Sequence, residues 1–184
     1  MGEVTDKIEQ GYLAPYFQLA AELPDDPVVV EVGCAHGAGL ALFRSLWPAA
    51  TLIGVDHLRP PELVRTIWDV RASLIVSDQA DPALLTKILA RLLDRDRRPD
   101  LIVDDASHDG PKTLGTWALL WPIVAPGGFY VVEDWFVGFD THPDYDGSML
   151  DFARKLLMTL DGQSSGVESI TYRYGLIVIK KRAE

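Results

Sequence analysis

Two rhythms of apolar and polar positions run through this chain. Short, mostly apolar runs at residues 28–32, 51–55, 73–76, 101–103 and 129–132 read as buried strands, the first of them carrying Glu31. Between them, apolar residues recur at helical spacing over 40–47, 61–70, 82–93 and 111–125. Strict alternation of strand and helix predicts a doubly wound parallel α/β sheet with helices on both faces. Before the first strand, residues 6–23 read as one amphipathic helix with Ile8, Tyr12, Tyr16, Leu19 and Leu23 inward, although Pro15 interrupts it. After the last parallel strand comes a loop at 135–147, rich in aromatics and turn formers, with the character of a lid or acceptor loop. A helix at 148–160 follows, and strands at 167–174 and 176–180 form a closing antiparallel hairpin around Gly175.

The chemistry gathers in 99–135. The apolar run ending Asp104-Asp105 and the one ending Glu133-Asp134 flank a single helix. Such a crossover makes the two strands parallel and brings both acid-bearing ends to the carboxyl edge of the sheet, where ligands of open α/β folds bind. Asp104, Asp105, Glu133 and Asp134 should therefore crowd one volume, with His108 beside them. Carboxylates so placed repel unless a cation sits among them, and an all-oxygen set suits Mg²⁺ or another hard divalent ion. An acid at a strand end often does no more than cap the next turn. Two acid pairs on consecutive strands, one followed by a histidine, are harder to explain that way.

The first strand runs through Glu31 into a glycine turn containing Gly33, Gly37 and Gly39, then into a helix. Strand, glycine turn and helix suit a nucleotide-type ligand close to the backbone. The spacing departs from the dinucleotide fingerprint, with Ala35 and Ala38 at its second and third glycine places. A carboxylate at Glu31 sits badly with a pyrophosphate and well with the ammonium and sulfonium charges of S-adenosylmethionine. Asp56, at the tip of the second strand, is placed to grip a ribose diol, and Asp78 and Gln79 can hold an adenine edge. Asp81 is better read as the cap of a helix starting at Pro82. His36 lies in the glycine turn and would line the cofactor site, while His57 and His142 lack chemical context.

The 184 residues are enough for one domain, 1–184, with 1–27 as an N-terminal helical segment. A formal charge of −10 argues against nucleic acid as a partner. The single cysteine, Cys34, excludes a disulfide within the chain and reads as a small buried filler. The N-terminus is no signal peptide and no apolar run approaches the ~20 residues of a membrane span, so a cytoplasmic location is expected.

From residue 28 to 135 the sequence resembles class I S-adenosylmethionine-dependent methyltransferases. Within them it is most similar to the metal-dependent sugar O-methyltransferases of macrolide biosynthesis and their cephalosporin-hydroxylase-like relatives. The motifs are Val30-Glu31-Val32-Gly33-Cys34 with Gly37 and Gly39, Gly54-Val55-Asp56, residues 77–82, Asp104-Asp105-Ala106-Ser107-His108, and residues 127–134 ending Glu133-Asp134. The resemblance implies a Rossmann-like seven-stranded sheet whose seventh strand is antiparallel. It makes Asp105, Glu133 and Asp134 ligands of Mg²⁺ and His108 the general base. Glu31, Gly33, Asp56 and Asp78 fall on cofactor positions, and Gly37, Gln79 and Asp104 are assigned to the same site.

What this implies is Mg-dependent transfer of a methyl group from S-adenosylmethionine to a hydroxyl of a small molecule, a sugar or natural product. Ala106 replaces the family's usual glycine, which matters only if the position needs a positive φ. Without the large auxiliary domain of the macrolide enzymes, the acceptor pocket is expected from the 135–147 loop, the N-terminal helix or a second copy in a homodimer. The alternatives are an oxygenase component working with a partner, a nicotinamide enzyme, and a cofactor-binding module without chemistry.

Overall fold

The computed structural model describes residues 6–92, 97–139, 146–161 and 165–183. These form one seven-stranded sheet in the order β3-β2-β1-β4-β5-β7-β6. The strands are β1 (Val28–Val32), β2 (Thr51–Asp56), β3 (Ser73–Val76), β4 (Leu101–Asp104), β5 (Phe129–Glu133), β6 (Val167–Tyr172) and β7 (Leu176–Lys181). The first five pair in parallel, and β7 pairs antiparallel with both β5 and β6. The strand order turns back between β1 and β4, which places the ligand-binding crevice outside their carboxyl ends.

The helices are α1 (Asp6–Glu9), α2 (Leu13–Glu22), α3 (Ala38–Leu46), α4 (Pro61–Asp69), α5 (Leu84–Leu92), α6 (Gly110–Leu120) and α7 (Ser148–Met158). They divide between two apolar layers. One face of the sheet packs Val30, Val32, Ile102, Tyr130 and Val132 against α5, α6 and α7. The other packs Val29, Val103, Val131 and Leu176 against α2, α3 and α4. Among the described residues no helix is long and apolar enough to cross a membrane.

Where the elements differ from the sequence reading, local chemistry explains it. The N-terminal helix is broken, and the break is at Gly11 (φ +78°), not at Pro15. Pro15 falls in the first turn of α2, where the missing N–H has no helical partner to lose. The break also changes which residues of α1 point inward: Ile8 is 44% exposed, whereas Lys7 is 2% exposed. The helix read over 111–125 stops at Leu120 and continues as a 3-10 turn, Trp121–Ile123, where Pro122 enters. Asp81 accepts from the Ala83 N–H at 2.9 Å as a cap should, but the regular helix begins only at Leu84. Residues 140–145 of the expected acceptor loop, His142 among them, lie outside the described residues.

Candidate active site

Strand alternation sorts the acids of the carboxyl edge. Glu31, Val103 and Val131 lie side by side in register, so Glu31, Asp105 and Glu133 face the same layer, that of α1 and α2. The neighbouring row of Val32, Asp104 and Val132 faces the other way. Asp104 is buried there with its Oδ2 accepting from the Tyr130 hydroxyl at 3.0 Å. Burial pushes its carboxyl up to about 7, the Tyr130 hydrogen bond notwithstanding.

The residue that organises the Glu31 face is Lys7. Its Nζ lies 3.2 Å from Glu31 Oε1, 2.7 Å from Asp105 Oδ2 and 2.7 Å from Glu133 Oε2. Burial alone would lower its pKa, but the charges of Glu31, Glu133 and Asp105 more than offset this and hold it well above the ordinary lysine value. Burial raises the Glu133 carboxyl, and the Lys7 charge opposes that rise. The Tyr16 hydroxyl donates to Glu133 Oε1, and the Tyr12 hydroxyl donates to Asp134 Oδ1 at 2.5 Å. Burial, the first cause in each case, raises both phenols far beyond the working range, so each remains a donor. Gly39 makes this packing feasible: a β-carbon there would run into the Glu31 carboxylate and the Lys7 stem.

At the mouth of this cluster, the Nε2 of His108 lies 3.9 Å from Asp105 Oδ1 and 4.0 Å from Asp134 Oδ2. Both His108 (φ +50°) and Asp134 (φ +53°) occupy the left-handed region, a costly conformation for a side-chain-bearing residue and one that gathers at functional sites. Ala106 is not among the positive-φ residues, so its substitution for the usual glycine carries no backbone strain.

Beside the acids, over the tips of β1, β2 and β4, a cavity of about 560 Å³ opens to the surface. Gly33, Asp56, Asp78 and Gln79, the positions assigned to a cofactor from the sequence, line it together with His36 and Asp105. Asp56 already receives the Ala35 N–H on Oδ2 at 2.8 Å and the Leu58 N–H on Oδ1 at 2.9 Å, so it also shapes the glycine turn. Gln79 bridges Thr116 and the Ser107 N–H, which makes it a brace of the cavity wall. Glu31, Gly37 and Asp104 stand off the lining: Glu31 faces Lys7, Gly37 (φ +85°) caps α3, and Asp104 is buried on the opposite face. Cys34 is buried, and burial pushes its thiol up, which removes it as a nucleophile.

A hard divalent cation needs several oxygen donors around one point. Among the described residues, one carboxylate oxygen each of Asp105 and Asp134 and a ring nitrogen of His108 all lie within 4.8 Å of one another, so the two carboxylates are close enough to share one ion. The residues present therefore fit a metal. Glu133 stands behind this group, with its oxygens engaged by Lys7 and Tyr16.

The chain is 29% identical over 175 residues to the 8-demethyl-8-alpha-L-rhamnosyl tetracenomycin-C 2'-O-methyltransferase of Streptomyces olivaceus, covering 88% of this chain and 42% of that protein. To the demethylmacrocin O-methyltransferase of Streptomyces fradiae it is 32% identical over 138 residues, 74% of this chain and 32% of the relative. The chain thus spans less than half the length of these relatives. No family model matches it. A MycE methyltransferase of the mycinamycin pathway, solved with Mg and SAH, superposes over 98% of this chain and 54% of its own with a TM-score of 0.76 at 19% identity. The fold is that of a class I methyltransferase. The O-methyltransferase TomG of Streptomyces achromogenes, solved with SAM, matches 98% of the chain and 82% of its own at a TM-score of 0.66 and 16% identity.

Within this methyltransferase fold, the residues that the sequence reading missed are Lys7, Tyr12 and Tyr16 as parts of the acid cluster. Tyr12 and Tyr16 were legible as inward-facing. Their hydroxyls gave no signal of what they would meet. Lys7 was invisible because a helical period placed Ile8, one residue on, toward the core.

Proposed function

We propose that this chain moves a methyl group from S-adenosylmethionine to a hydroxyl of a small molecule with the help of a divalent cation. One observation carries the reading: Asp105 belongs both to the nucleotide-sized cavity and to the group of side chains close enough to share a metal ion. An ion there and a ligand in the cavity would be immediate neighbours. The sugar O-methyltransferase relatives support a glycosylated natural product as acceptor.

S-adenosylmethionine would supply a methyl group on a sulfonium centre: the acceptor oxygen bonds the methyl carbon in line as the carbon–sulfur bond breaks, and the thioether S-adenosylhomocysteine leaves with that electron pair. A hard divalent cation, Mg²⁺ by the MycE likeness, supplies a positive charge that favours the alkoxide form of a hydroxyl at this place. Asp105 and Asp134 would hold that ion. Asp56, Asp78 and the Gly33 turn hold the cofactor, with the open backbone at Gly33 allowing close approach. His108 Nε2, at the mouth between the two carboxylates, accepts the proton that the acceptor hydroxyl gives up. Proximity supplies much of the rate, because the transfer is an encounter of two small groups in one orientation.

The test is transfer of labelled methyl from S-adenosylmethionine to a rhamnoside acceptor bearing vicinal hydroxyls. Turnover should fall to background on chelation and return with Mg²⁺. His108→Ala should lower turnover by about 10²-fold or more with cofactor affinity unchanged. Transfer that ignores the chelator would remove the ion from the reaction, and equal losses in turnover and affinity would make His108 structural.

A further inference from the structure

We propose that Lys7 is a tethered cation of the acid cluster, and that it claims Glu133 for itself and leaves a bound divalent ion to Asp105 and Asp134. This inference rests on the divalent-ion reading above and specifies how the site is divided.

Three carboxylates converge on the α1 face of the sheet, and the Lys7 ammonium reaches an oxygen of each, at 3.2 Å for Glu31 and 2.7 Å for Asp105 and Glu133. An ammonium has three protons to donate, and three acceptors stand in reach. The second oxygen of Glu133 takes the Tyr16 hydroxyl. Both Lys7 and Glu133 are almost completely buried, at 2% and 1% exposure. A pair this deep is a fixed structural arrangement, because separating it would strand a charge away from water. For Glu133 to ligate an ion, it would have to leave Lys7 or Tyr16.

Asp105 and Asp134 are arranged differently. Each gives one oxygen inward, Asp105 Oδ2 to Lys7 and Asp134 Oδ1 to Tyr12, and each turns the other toward His108. Those outward oxygens stand 3.9 and 4.0 Å from the imidazole. That is too long for a hydrogen bond, so the imidazole does not engage either oxygen. The cluster thus has an inner cation position filled by the chain and an outer one shaped for an ion from solution.

The division is tested by titrating the metal-free protein with Mn²⁺ and reading free Mn²⁺ by electron paramagnetic resonance, without cofactor or acceptor. The wild type should bind one ion. Lys7→Met removes the competing charge and releases Glu133, so Mn²⁺ should bind at least about tenfold more tightly. Lys7→Met with Glu133→Gln removes the pair as a neutral unit, so affinity should stay within about threefold of wild type, whereas Asp134→Asn should weaken it at least about tenfold. The double variant buries no unpaired partner and remains informative if Lys7→Met alone does not fold. Unchanged affinity in Lys7→Met, or a double variant as weak as Asp134→Asn, would overturn the division and return Glu133 to the ion. A wild-type protein that binds no Mn²⁺ would overturn the divalent-ion reading itself, and this inference with it.

Discussion

Asp104 and Asp105 are consecutive residues with opposite surroundings. Asp104 points into the α6 and α7 layer, where a tyrosine hydroxyl is its neighbour and the walls are apolar. Asp105 points to the α1 layer, meets an ammonium at 2.7 Å and borders the cavity. The backbone separates them by half a period of the strand, and that half-period divides a buried acid from a site acid. The same division operates across the Glu133–Asp134 pair by a different device. Asp134 turns away through a left-handed backbone instead of by alternation. Acid pairs in a sequence therefore overstate the number of carboxylates available to any one ligand.

The largest expected effect contrasts the two aspartates directly. Asp105→Asn should lower methyl transfer by about 10²-fold or more, as loss of the charge proposed to hold the ion beside the cofactor implies. Asp104→Asn should leave it within about threefold. Equal losses, read in one assay under saturating cofactor, would break the comparison and return Asp104 to the binding site.

A smaller effect concerns stability. The Asp104 carboxyl titrates at about 7 in the folded protein and near ~3.9 in an unfolded chain. Its proton is held more tightly in the fold, so its contribution to stability is complete below about pH 4, declines as pH rises toward 7 and is gone above that. At ~1.4 kcal/mol per pKa unit, the decline amounts to a few kcal/mol. Asp104→Asn keeps an acceptor for Tyr130 and has no proton to lose. Urea unfolding at pH 5 and pH 8 should therefore show a smaller fall for the variant than for wild type. Parallel slopes would show that Asp104 is ionised in the fold throughout.

The smallest effect tests the backbone between the two sites. Ala106→Gly should lower stability by only about 0.5 kcal/mol, through added freedom of the unfolded chain. A gain in stability would mean that this position needs the left-handed conformation that His108 and Asp134 adopt.

The fold was largely legible because its signals are local and repeated. Apolar runs such as Val28–Val32 can hardly be anything but buried strands, and Gly175 marked the hairpin that became β6 and β7. The acids and His108 were legible as neighbours because topology alone brings strand tips together. What the sequence could not convey was the division of labour among them. That depends on Lys7, which reaches across 126 residues to Glu133 from a helix of one turn. Helical periodicity ranks side chains by hydrophobicity, so a buried lysine is invisible to it until the three acids it serves are placed in space.

Gly33 has a further consequence. Its backbone lies so close to the carbonyl of Asp105 and to Ala106 that no β-carbon fits between them. The turn beneath the cavity and the loop bearing the acid are thus in hard contact, with no slack to absorb a shift of either. A shift of either that a bound ligand imposed would be passed to the other. A cofactor and an ion coupled through that contact would, by thermodynamic reciprocity, each alter the other's affinity by the same factor.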